Sequence, residues 1–115
     1  MSFHQQASRA YSATQGLRSN RDQEADLFLR ANAALRQSRD AGPIPLVRAL
    51  SDTGRLWSAV IDLVRDPENA LPAPLKASIV SVGLAVQREV ERAAPDIDFL
   101  ITVNADLAAG LSARG

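Results

Sequence analysis

PLVRALSDTGRLWSAVIDLV, residues 45–64, is the stretch on which the fold turns. Val47, Leu50, Gly54, Trp57, Ile61 and Val64 return at alternating steps of three and four, the seam spacing of a helix packed against other helices. A second stripe, Leu46, Ala49, Thr53, Leu56, Val60 and Leu63, runs beside the first. Only Arg48, Ser51, Asp52, Arg55, Asp62 and Arg65 are left for a wet face, so this helix needs neighbours on two sides. Period-two alternation is absent, and the segment is too long for an ordinary strand.

Working outward, Pro67, Asn69, Pro72 and Pro74 predict an ordered turn that ends this helix and places a proline in the permitted first turn of the next. That next helix is expected to run to about Ala93. Its stripes, Leu75, Ile79, Val82, Val86 and Val90 with Val80, Gly83 and Leu84 beside them, suggest a first half buried nearly all round. Pro95 and Asp96 then punctuate, and Ile97, Leu100, Ile101, Asn104, Leu107, Ala108 and Leu111 form a last amphipathic helix that frays near Gly115.

Upstream, Gly42 and Pro43 stop a helix expected over about residues 20–41. Ser19 or Asn20 can cap it, Asp22, Glu24 and Asp26 suit the positive end of its dipole, and Arg36 and Arg39 suit the other end. Leu27, Phe28, Ala31, Ala34 and Leu35 are its apolar positions. Before it, Ser2 with Gln5 offers a capping box, and Phe3, Ala7, Ala10 and Tyr11 recur at helical spacing until Gly16. So short a helix must lean on the bundle or on a partner. The expected fold is all-α, a single small four- or five-helix bundle occupying residues 1–115 as one domain.

Composition narrows the function. The 13 basic and 13 acidic side chains balance, which gives no net field to hold nucleic acid or an anionic membrane surface. Residues 1–55 carry the basic excess and the remainder the acidic one. Cysteine is absent, which removes disulfides, thiolate catalysis and cysteine zinc sites together. Met1 to Ala10 lacks the pattern of a signal peptide, and no apolar run approaches the roughly 18 residues of a membrane span. A soluble cytoplasmic protein without membrane insertion is expected.

Candidate chemistry is sparse. His4, the sole histidine, would be a poor centre for a metal or a catalytic triad at a chain end. Asp66, Glu68, Asp96 and Asp98 could flank a metal or form an acid–base pair, but each sits where a helix boundary favours an acid, so capping is the better reading. Gly54 and Gly83 lie inside helical patterns, where glycine permits close helix contact, and no phosphate loop is present. No catalytic residue, cofactor or metal is expected, hence no enzyme. Trp57 serves either the core or a partner-binding groove, since helix 45–64 has more apolar surface than a small bundle readily covers. Asn104, set among Ile101, Val103 and Leu107, is exposed, bonds a neighbouring helix, or fixes a partner's backbone.

The order of particular residues carries a further signal: Tyr11, then Arg55-Leu56-Trp57, then Asp66-Pro67-Glu68-Asn69-Ala70-Leu71-Pro72. Leu75 to Ser81 continue the pattern, and Leu100 to Asn104 with Gly110-Leu111 close it. This succession resembles the FlaF family over essentially the whole chain. Two positions depart from the family pattern: Thr53 stands where an asparagine is usual, and Gly54 where a larger polar residue is common.

The resemblance implies a cytoplasmic factor in flagellum assembly that binds flagellin and promotes its production and secretion, with FlbT as a second regulator. Flagellin's terminal segments pack as amphipathic helices in the filament, so before export they expose apolar stripes that a helical groove could hold. The expected groove is lined by Leu56, Trp57 and Val60 together with Phe3 and Tyr11, and Asn104 is a further candidate contact. The alternative is post-transcriptional regulation of flagellin mRNA through FlbT, without chaperoning. Direct RNA contact is not expected, because basic surface and stacking rings are few. A scaffold or homodimer that uses the apolar stripes only for itself is the remaining reading.

Overall fold

The structure, a computed structural model, describes residues 22–113. The helix expected over residues 2–16, with Phe3, His4 and Tyr11, lies outside the described residues, as do the Ser19 or Asn20 cap and the end at Gly115. The described chain is all-α: α1 (residues 22–38), α2 (Pro43–Arg65), α3 (Ala73–Val90) and α4 (Ile97–Ala113).

The breaks between helices follow from local chemistry. The Ser38 hydroxyl donates to Leu35 O at 2.9 Å in the last turn of α1. Gly42 then takes φ of 96°, a left-handed conformation costly for any residue with a Cβ, and proline occupies the first turn of α2. At the far end of α2 the turn is held by two side chains. Asp66 Oδ1 accepts from Glu68 N–H at 2.9 Å, while Asn69 donates to Leu63 O at 3.1 Å and accepts from Leu71 N–H at 3.0 Å. The acids at the α3–α4 turn also act as boundary residues: Asp96 Oδ1 accepts from Phe99 N–H at 3.0 Å, and Glu89 accepts from Arg92 and from Asp96 N–H. Glu89 thereby gathers the returning chain, and α3 ends at Val90 rather than near Ala93.

α2 is the central helix, burying Ala49, Leu50, Thr53, Trp57, Ile61 and Val64. The expected seam therefore holds from Leu50 onward. Val47 departs from it, 63% exposed, because α3 stops at Val90 and offers nothing further to cover it. Leu63 of the second stripe and Leu27 of α1 are likewise exposed. α3 is the larger correction. Only Gly83 and Val86 are buried, and Val82 and Leu84 stand partly in solvent. The reason is its position: α3 lies along α2 but barely touches α4, so one face is covered instead of the whole circumference.

α1 runs antiparallel to α4. Asn32 meets Ile101 and Asn104, while Arg39, two turns later, pairs with Asp98 near the start of α4. Phe28, Leu35, Leu100, Val86 and Trp57 share the core with Ala25 and Ala108. Phe28 and Trp57 meet edge to face, with ring centroids 5.8 Å apart.

Candidate functional site

Trp57 is the junction of the molecule. The residue is 2% exposed, and its ring meets three other helices. Phe28 of α1 approaches it on one side. On another, α3 comes so close that a Cβ on Gly83 would lie 3.2 Å from Trp57 Cε3 and 2.8 Å from Ile61. The indole N–H donates to Asn104 Oδ1 of α4 at 2.8 Å. Asn104 in turn donates to Asn32 Oδ1 at 3.0 Å, and Asn32 donates to Ile101 O at 3.0 Å. Three buried polar side chains thus form one chain of hydrogen bonds linking α1, α2 and α4. Each would be costly to bury alone, and together they are satisfied. Thr53, one turn before Trp57, is buried too, but its hydroxyl has no partner among the described residues.

Asn104 therefore takes one of its three open readings: it bonds neighbouring helices. Asn32 was not singled out by the sequence reading. Its signal was available, because it lies four residues after Phe28 and three before Leu35, on the buried face of α1.

Neighbouring candidates on α2 face different surroundings. Leu56 lines a shallow groove between α1 and α2, with Leu27, Arg30, Ala31 and Arg55. Trp57 instead floors a groove of about 240 Å³ between α3 and α4, walled by Ile79, Val82, Val103 and Leu107 and rimmed by Ser78 and Asp106. Val60 is half-buried against the core. The structure thus separates Leu56 from Trp57, and Phe3 and Tyr11 lie outside the described residues. A larger groove of about 670 Å³ between α2 and α3 is more polar, with Ser51, Arg55, Ser58, Gln87 and Glu91 in its lining; Gln87 donates to Ser58 Oγ across it at 2.7 Å.

The α3/α4 groove is small and open, below the usual size of a small-molecule pocket but suited to side chains from a docking helix. Among the described residues, no cluster of His, Asp and Glu could hold a metal ion. No described helix is long and apolar enough to cross a membrane.

The family of flagellar protein FlaF matches residues 7–111. The chain belongs to the FlaF family. The match runs through all four described helices, from before α1 to the last turns of α4, and includes the Asn69 turn and Trp57 with its Asn104 partner. As a FlaF-family member the protein is flagellar. No curated protein and no solved structure matches it.

Proposed function

We propose that this FlaF-family protein is a non-enzymatic cytoplasmic factor that binds flagellin before export and so promotes its production and secretion. The observation that supports this reading is the incomplete closure of the bundle. α3 and α4 diverge over Trp57 and leave Ile79, Val82, Val103 and Leu107 around an open apolar groove. An amphipathic helix could lay its apolar stripe there, with knob side chains reaching toward the indole. A flagellin terminal segment has that chemistry, because it is built to pack as a helix against other helices. Phe3 and Tyr11, from the segment ahead of α1, belong to the same apolar system in this proposal; Leu56 faces another groove and would contribute less.

The test is co-purification of the full chain with its cognate flagellin, followed by calorimetry at several temperatures. A stoichiometric complex with a negative heat-capacity change is expected, the mark of apolar burial. Absence of a complex would move the function to FlbT-dependent control of flagellin mRNA. With wild-type binding established, Val82→Glu is expected to weaken it at least tenfold while leaving the helical signal and melting temperature nearly unchanged, since Val82 is 38% exposed.

A further inference from the structure

The groove between α2 and α3 holds a cation and an anion that stay apart. Arg55 and Glu91 both line it, yet they do not pair with each other, and the ion pairs among the described residues are Arg39–Asp98 and Arg92–Glu89. The same face carries exposed apolar surface, with Ile44 67% and Val47 63% exposed. Along α2, Ile44, Val47, Ser51, Gly54 and Ser58 recur at alternating steps of three and four, the spacing of a helix seam, and all but Ile44 line the groove.

Gly54 sets this seam apart from internal packing. A Cβ on Gly83 would collide with Ile61, so α3 requires glycine there, whereas a Cβ on Gly54 would lie 3.5 Å from Val90 Cγ2, an ordinary contact. Glycine inside a helix is costly, and at Gly54 the contact with α3 does not require it. What the missing side chain does is keep the groove open.

The charges say what fits there. A two-fold contact sets one patch against itself, so the patch must carry both signs. The groove beside Val64 has Arg65 and Lys76 as its charged lining, and the α3/α4 groove has Asp106. Acids and arginines balance at the α3–α4 turn, but Glu89 is engaged there by Arg92 and by Asp96 N–H. The α2/α3 groove offers one cation and one anion, Arg55 and Glu91, which a second copy of the same face would match.

We propose that the α2/α3 face pairs with the same face of a second copy about a two-fold axis running along the groove, so that α2 of each copy lies over α3 of the other. The Gln87–Ser58 bond and the approach of Val90 to Gly54 fix the register, and Glu91, one turn beyond Gln87, is level with Arg55 across the groove. Such an axis preserves levels, so Arg55 of each copy faces Glu91 of the other; an axis across the helices would set arginine against arginine. Past Val90, where α3 has ended, the exposed Val47 side chains of the two copies meet. Residues 47–58 span only about 17 Å at the helical rise, so the dimer is a weak one, with a dissociation constant in the micromolar range. The α3/α4 groove lies on the other side of α3 and stays open in each copy.

Sedimentation velocity of the full chain over a concentration series is the test. A reversible shift from 12.3 kDa to twice that mass is expected; a monomer at every concentration up to about 1 mM overturns the proposal. Val47→Arg should weaken association about tenfold or more, with the helical signal and melting temperature unchanged because Val47 is exposed. Arg55→Glu and Glu91→Arg should each weaken it alone, and an equimolar mixture of the two variants should dimerise again. A mixture that stays monomeric, or single variants that associate like wild type, overturns the arrangement. Val82→Glu, in the α3/α4 groove, should leave the dimer intact, which keeps this outcome separate from that of flagellin binding; loss of the dimer in that variant would place the contact on another face and overturn the proposal.

Discussion

On the side of α2 that meets α1 and α4, the contact includes polar atoms paired in sequence, from the Trp57 indole through Asn104 to Asn32 and the Ile101 carbonyl. On the side that meets α3, the buried contact is made by an absent side chain at Gly83 and the apolar atoms around it, and the side-chain hydrogen bond from Gln87 to Ser58 is exposed. The two sides hold in different ways. Buried hydrogen bonds have one satisfactory geometry, so they fix the relative position of α1, α2 and α4 as well as stabilising it. Apolar contact with a glycine brings α3 close to α2 but does nothing to draw it toward α4, and the open groove is the result.

Trp57→Ala should damage both sides at once. A loss of about 3–5 kcal/mol is expected in a denaturant titration followed by circular dichroism; a loss confined to about 1 kcal/mol would mean that Trp57 is not the junction its contacts describe. Asn104→Ala attacks only the polar side, leaving the indole N–H and Asn32 Oδ1 without their partner at about 1–3 kcal/mol for each group. In a double-mutant cycle with Asn32→Ala the two losses should fall well short of additive; simple additivity would argue that the hydrogen bonds act separately.

Gly83→Val attacks only the apolar side. The new Cβ would enter the space of Ile61 and the Trp57 edge, and a cost of about 1–3 kcal/mol is expected from overpacking. Hydrogen exchange should then quicken in α3 while α1 and α4 keep their protection; equal quickening everywhere would show that the two sides are not independent. Thr53→Val has the smallest effect. Removing a buried hydroxyl that has no partner among the described residues should leave stability within about 1 kcal/mol of wild type, on the stabilising side. A clear destabilisation would reveal a hydrogen bond for that hydroxyl.

The same contrast separates what could be read in the sequence from what could not. Apolar spacing, prolines and acids at boundaries are local signals, and they gave the described helices, the Asn69 turn, and the capping role of Asp96. The wet face of α2 was legible for the same reason: Arg48, Ser51, Asp52, Arg55, Asp62 and Arg65 are all exposed. Misreadings arose where burial depends on a neighbour's length or position. Val47 has the spacing of a core residue, but α3 ends too early to cover it. The stripes of α3 suggested burial all round, because a sequence shows that a face is apolar without showing whether another helix reaches it. Of the candidate site, Trp57 and Asn104 stood out singly by chemistry. Their hydrogen bond, spanning 47 positions, and the part of Asn32 in it could not be placed without the tertiary arrangement.

The Asn69 turn bears on the order in which the chain folds. Its hydrogen bonds close over six residues or fewer, so α2 and α3 can find each other across a loop that costs little entropy. The Asn32–Asn104 bond closes 72 positions apart and must await the ends of the chain. The α2–turn–α3 hairpin should therefore be the nucleus, with α1 and α4 arriving together afterwards. In chevron kinetics Asn69→Ala should mainly slow folding and Asn32→Ala should mainly hasten unfolding. The late-forming pair would then set how long the native state lasts, while the proline-flanked turn sets how soon it is reached.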